Sequence, residues 1–167
     1  MRNLLSTFSL LVGLLMCGQA LAQQPSPPPF KQPSYGESID LDQAKKVAAA
    51  AASEAKKNNW SMSISVVGIS GELVYFEHMD NTSYASIDLS IHKARTTARF
   101  RSPTRRFSER LAAGPVNSYL TTFDGMIAGP GGNLIMVGNK IVGAIGASGS
   151  TGAHDEQVSA VGANALK

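Results

Sequence analysis

Residues 131–155 read GGNLIMVGNKIVGAIGASGSTGAHD, and their interpretation decides the fold. Leu134–Val137 and Lys140–Ile145 are apolar runs on either side of Gly138-Asn139, a dipeptide suited to a two-residue hairpin turn. Beyond Ile145 the chain passes Gly146, Gly149 and Gly152 and enters a helix expected from about Ala153. A helix start carries unpaired backbone N–H groups, so a glycine-rich approach can hold an anionic or polar group. The plainer interpretation is a tight strand-to-helix connection with small residues for close packing. The stretch alone favours the plainer one, because no complete phosphate-loop pattern is present.

The segments before this hairpin repeat the theme. Ser61–Val67 and Leu73–His78 read as two strands reversed through Ile69-Ser70-Gly71-Glu72. Met62, Ile64 and Val66 alternate with Ser61, Ser63 and Ser65, the pattern of a half-buried strand. Upstream, Asp40 is a candidate N-cap for a helix over 40–58, with an apolar stripe of Leu41, Ala44, Ala48, Ala51 and Ala55. Between the hairpins, 84–100 reads as a helix whose buried stripe is Ile87, Ile91, Ala94 and Ala98. Asp88, His92, Arg95 and Arg99 form a polar stripe beside it. Short helical pieces are expected over 104–112 and 117–122, and a closing helix over 153–166 with Val158, Val161 and Ala165 buried. Hairpins separated by helices argue for α+β with an antiparallel sheet of about five strands, rather than a doubly wound parallel sheet.

Met1-Arg2, the short apolar run Leu4–Met16 and Ala20-Leu21-Ala22 have the layout of a secretory signal peptide, too short for a membrane span. Cleavage after Ala22 is expected and places the mature protein in the periplasm or outside the cell, with no membrane attachment. N-terminal sequencing of the exported protein checks this; a start at Cys17 would refute it. Residues 23–38 are rich in Pro, Gln and Ser and read as a disordered linker, although Phe30 and Tyr35 could pack on a partner. Residues 39–167 form the domain. Its mature form has no cysteine, since the single one is Cys17, which excludes disulfides and thiolate chemistry. A net charge of +3 for all 167 residues is too small to argue for nucleic acid, and export argues against it.

The run SISVVGISGELVYFEHMD, the helix ASIDLSIHKARTTARF and the ending GPGGNLIMVGNKIVGAIGASGSTGAHDEQVSAVGANAL, in that order, resemble the GlcG/HbpS family of haem-binding proteins, which includes the C-terminal domain of PduO-type proteins. The similarity covers roughly 41–166. Its most specific pieces are Lys93-Ala94, the GG-x-L-I segment, and the VGAIGASG run followed by Asp155-Glu156. The resemblance implies a profilin-like or PAS-like antiparallel sheet flanked by helices, a homo-oligomer, and non-covalent haem binding with links to redox sensing or haem handling. A sensor or redox partner is part of that implication.

Haem could bind with one histidine or an oxygen ligand on iron; the three histidines, His78, His92 and His154, are the candidates, and no two have the i, i+4 spacing of a helical metal pair. His78 ends a strand beside Met79. His92 shares a helical stripe with Arg95 and Arg99, which could pair with propionates. His154 starts the last helix beside Asp155 and Glu156. These two acids match a family pair, and they also suit a helix N-terminus with no ligand at all. Lys93 matches a family lysine that could contact a ligand or support the hairpin connection. Gly146, Ser148 and Gly149 complete the candidate pocket edge. The primary expectation is an exported haem-binding or related small-ligand-binding protein. A small-molecule or haem-degrading enzyme using His, Asp and Glu is the first alternative, and a ligand-free sensory or assembly module is the second. Catalysis has little direct support, because 146–149 is not a complete G-x-S-x-G elbow.

Overall fold

The computed structural model describes residues 32–167. The expected signal peptide and most of the expected linker lie outside them. The elements run β1 (Ser34–Tyr35), α1 (Leu41–Lys57), β2 (Ser63–Val67), β3 (Leu73–His78), α2 (Ala85–Phe100), α3 (Arg105–Ala112), a 3₁₀ segment (Pro115–Thr122), β4 (Gly132–Val137), β5 (Lys140–Ser148) and α4 (Gly152–Ala163). They form one mixed five-stranded sheet of the α+β class. β5 is the central strand. It pairs antiparallel with β4 across the Gly138-Asn139 turn, where Gly138 has φ 57°, and antiparallel with β2 on its other edge. β3 is the outer strand beyond β2. β1 adds a short parallel pairing with the start of β5, Ser34 opposite Lys140 and Tyr35 opposite Ile141.

Helices cover both faces. α1 and α4 pack on each other and on one face, where Ile64, Val66, Ile145 and Val158 meet the α1 alanines. Asp40 caps α1 reciprocally with Gln43, each side chain meeting the other's backbone N–H at 2.8 and 3.3 Å. Ala44, Val47, Ala48, Ala51, Ala52 and Ala55 are buried, whereas Leu41, expected in the stripe, is 49 % exposed. Leu41 is the first residue of the helix. In α4 the expected Val161 is also exposed, because its neighbour Gly162 faces inward, close to the Ala51 Cβ and Ile145 Cδ1.

α2 covers the other face and corrects two expectations. It packs on β5, β2 and β4. Its buried stripe is Ser86, Ser90, Lys93, Ala94, Thr97 and Ala98, not the one containing Ile87 and Ile91, which are only half-buried. The serine face of β2 lies underneath, so β2 is buried throughout rather than half-buried. Ser63 Oγ meets Ser86 Oγ at 2.7 Å and Ser65 Oγ meets Ser90 Oγ at 2.7 Å. These four serine hydroxyls thus find their partners across the interface. Small residues on both sides let the helix come close: a Cβ on Gly146 would stand 2.0 Å from Ser90 O and 2.7 Å from Ala94 N. Alternation and 3.6-residue periodicity identify strands and helices by apolarity, and here the closest interface is built from hydroxyls, which that signal assigns to solvent.

The linker expected to reach Ser38 is ordered earlier than that. Tyr35 donates its hydroxyl to Ala98 O at 2.7 Å, Gln32 Nε2 donates to Phe100 O at 3.1 Å, and Arg101 lies over the Tyr35 ring. This segment thus hydrogen-bonds carbonyls in the last turn of α2. At the β2–β3 turn, Glu72 accepts from Ser38 Oγ, Ser70 N and Ser70 Oγ. The Ser70 hydrogen bond chiefly holds its carboxyl below the usual glutamate value. A depressed folded value stabilises above the unfolded range and is lost as pH falls through it. Glu72→Gln is therefore expected to lower Tm slightly at neutral pH, since the group is largely solvated. The gap from the native chain should close in acid below the carboxylate range. A gap that persists or widens in acid contradicts this role for Glu72.

Candidate functional site

The strand-to-helix connection from β5 into α4 builds a closed polar node. Lys93 Nζ, on α2, donates to Asp155 Oδ2 at 2.7 Å and to Ala147 O at 3.0 Å. Both side chains of the ion pair are at most 7 % exposed. Asp155 Oδ1 accepts from Ser150 N at 3.1 Å, so it also stabilises the start of α4. Gly131, at φ 114°, closes the node: its Cβ would fall 2.7 Å from Ala147 O and 2.8 Å from the Asp155 Cβ. Gly131 N donates to Glu156 Oε2 at 2.9 Å, and Glu156 Oε1 lies 3.6 Å from Arg105 Nε. Ser148 is buried at the end of β5 opposite Ser63, and a Cβ on Gly149 would stand 2.2 Å from Ser61 O. Lys93, Gly146, Ser148, Gly149 and Asp155 are thus engaged with the chain's own atoms. His154 accompanies them on the surface, stacked on Trp60 at 3.8 Å with Nδ1 2.8 Å from Ser150 Oγ.

His92, Arg95 and Arg99 lie elsewhere, on the outer side of α2. With Thr96 and Phe100 they face Asp124, Gly125 and Met126 across a cleft of about 230 Å³. Ile127 N donates to Thr96 Oγ1 at 3.1 Å and ties the 124–126 stretch to the helix.

His78 stands apart from both groups, at the end of β3. Its Nδ1 is 2.7 Å from Ser63 Oγ. Ser63 Oγ is 2.7 Å from Ser86 Oγ, and Ser86 Oγ is 2.5 Å from Ser83 O. The protons in this chain can be counted. A carbonyl only accepts, so Ser86 gives its proton to Ser83 O; Ser63 must then give its own to Ser86; His78 must therefore supply the proton at Nδ1. Neutral His78 is held as the Nδ1–H tautomer, with an unprotonated Nε2. That nitrogen has no hydrogen-bond partner among the described residues. The ring borders a shallow cavity of about 520 Å³ lined by Asp80, Asn81, Thr82, Ser83 and Tyr84. Phe76 and Tyr84 lie nearly parallel to it at 6.5 and 6.2 Å, and Tyr84 is 86 % exposed. Ser63, Ser86 and Tyr84 were not candidates from sequence; only the register that sets Ser63 opposite His78 brings them in. Among the described residues no group of three or more His, Cys, Asp or Glu side chains could hold a metal ion.

The family model described as "Haem degrading protein HbpS-like" matches residues 39–164. The Escherichia coli K12 protein GlcG is 37 % identical over 110 residues, covering 66 % of this chain and 81 % of GlcG. A double mutant of Streptomyces reticuli HbpS has the same fold, with TM-score 0.73 and 27 % identity over 87 % of this chain and 99 % of that one. The PduOC:heme complex superposes with TM-score 0.72 at 17 % identity, over 78 % of this chain and 96 % of that one, a likeness of fold. The expected α+β architecture and the resemblance noted from sequence agree with these matches. The chain belongs to the HbpS-like family.

Proposed function

We propose that this protein binds haem non-covalently, as an exported member of its family. His78 is the residue that carries the proposal. An imidazole nitrogen free of other partners can ligate haem iron, and a hydrogen-bond acceptor on the other nitrogen fixes the ring and raises its basicity. Ser63, backed by Ser86 and the Ser83 carbonyl, provides that acceptor, with both Ser63 and Ser86 buried. His92 has no hydrogen bond to set its tautomer among the described residues, and His154 is engaged by Trp60 and the exposed Ser150. Phe76 and Tyr84 supply apolar ring surface beside His78. Bound haem would contribute iron redox chemistry and a Soret absorption. This chain would contribute the oriented ligand nitrogen and partial cover, with a second copy of the chain able to complete the open side.

Titration of haem into the purified protein is expected to give a saturable Soret shift at micromolar concentration. His78→Ala should abolish the ligated spectrum. Ser63→Ala should weaken binding by about 10–100-fold, the usual effect of losing an outer-shell partner. The absence of a saturable shift would refute haem binding, and an unchanged spectrum in His78→Ala would refute the assigned ligand. Product formation from haem with a reductant would move the protein to the haem-degrading reading that its family description favours.

A further inference from the structure

From the outer face of α2 we infer a second ligand site, for a small organic carboxylate, independent of haem. Arg95 Nε donates to Gly71 O at 3.2 Å and Arg99 Nε donates to Ser70 O at 3.2 Å. Both guanidinium groups are therefore pinned by their inner N–H to the β2–β3 turn. Their terminal nitrogens remain as donor edges of the kind that grip a carboxylate bidentately. Neither arginine forms an ion pair among the described residues, where the acids that are paired serve Lys93 and Arg105. Asp124 borders the same cleft, so two guanidinium charges face one carboxylate there.

The other lining groups define the rest of the ligand. The His92 imidazole has no hydrogen-bond partner among the described residues and can donate to or accept from it. Phe100 and Met126 offer apolar contact, and Phe100 is held by Phe107 at 5.4 Å and Phe123 at 5.8 Å. A cavity of about 230 Å³ is below the 300–1,000 Å³ usual for drug-sized ligands, so the occupant is small. An apolar or ring-bearing monocarboxylate meets every one of these surfaces. Inorganic phosphate would use the arginines and leave Phe100 and Met126 idle.

The test is an amide and imidazole NMR titration of the haem-free protein with benzoate, benzamide and inorganic phosphate. Benzoate is expected to shift the signals of 92–100 and 124–127 saturably below about 10 mM, a weak but specific affinity. The His92 ring signals should move with them, a readout that needs no variant. Arg99→Gln and Arg95→Gln should each weaken benzoate at least tenfold, and His78→Ala should leave it unchanged. No saturable shift, an equal response to the neutral benzamide, or unaltered binding in both arginine variants would overturn the site. Phosphate binding as well as benzoate would overturn the carboxylate class. Because His78 does not enter this cleft, failure here leaves haem binding standing, and the reverse also holds.

Discussion

Asp155→Ala is expected to cost about 3–5 kcal/mol of unfolding free energy, measured by urea denaturation at neutral pH. Lys93 and Asp155 are almost fully buried and 2.7 Å apart. Truncating the acid strands the ammonium with Ala147 O as its remaining partner. The substitution also removes the acceptor for Ser150 N and the charge at the start of α4. A loss of that size is a large fraction of the roughly 5–15 kcal/mol that holds an ordinary domain together. Its origin is desolvation of an uncompensated charge, not the attraction itself. The double variant Lys93→Met with Asp155→Leu removes both charges and fills similar volume, so it should recover much of the loss. A single-variant cost below about 1 kcal/mol would mean that water reaches the node and that the pair behaves like a surface bridge.

Gly146→Ala should be comparably severe, at or above the top of the usual 1–3 kcal/mol range for overpacking. The added Cβ meets Ser90 O at 2.0 Å and Ala94 N at 2.7 Å. Both are backbone atoms of α2, so no side chain can rotate out of the way. Relief requires α2 to lift from the sheet, which would pull apart the Ser63–Ser86 and Ser65–Ser90 hydrogen bonds. Gly152→Ala is the control: the nearest atoms to its Cβ are Pro130 side-chain carbons, the closest at 3.3 Å, and it should cost less than about 1 kcal/mol. Equal Tm values for the two variants would refute the close-approach role of Gly146.

The two variants probe features that the linear sequence displays unequally. Gly146 is conspicuous in the GASG run, but its spacing fits a ligand loop as well as a packing contact. Lys93 and Asp155 are 62 residues apart, and only the fold makes them a pair. The strands, the Gly138-Asn139 turn and the Asp40 cap were legible because each depends on neighbours within a few residues. The inward face of α2 was not. Apolar periodicity pointed to Ile87 and Ile91, whereas β2 presents serines that select Ser86 and Ser90. His92, Arg95 and Arg99 could be placed on one helical stripe from spacing alone. Their separation from the Lys93 node, on the same helix, follows from which side of α2 meets the sheet.

By itself the sequence determined the order of elements from α1 to α4, the hairpins, the α+β class and the family, because these rest on local periodicity, turn chemistry and a linear signature. Only the tertiary structure decided that the glycine-rich connection is sealed by a buried ion pair, that His78 is oriented by two serines, and that a pinned arginine pair borders a separate cleft. The reason is that hydrogen-bond partners and burial are properties of surfaces brought together across the chain. A serine, a lysine or a glycine has no fixed role until the opposing surface is in place.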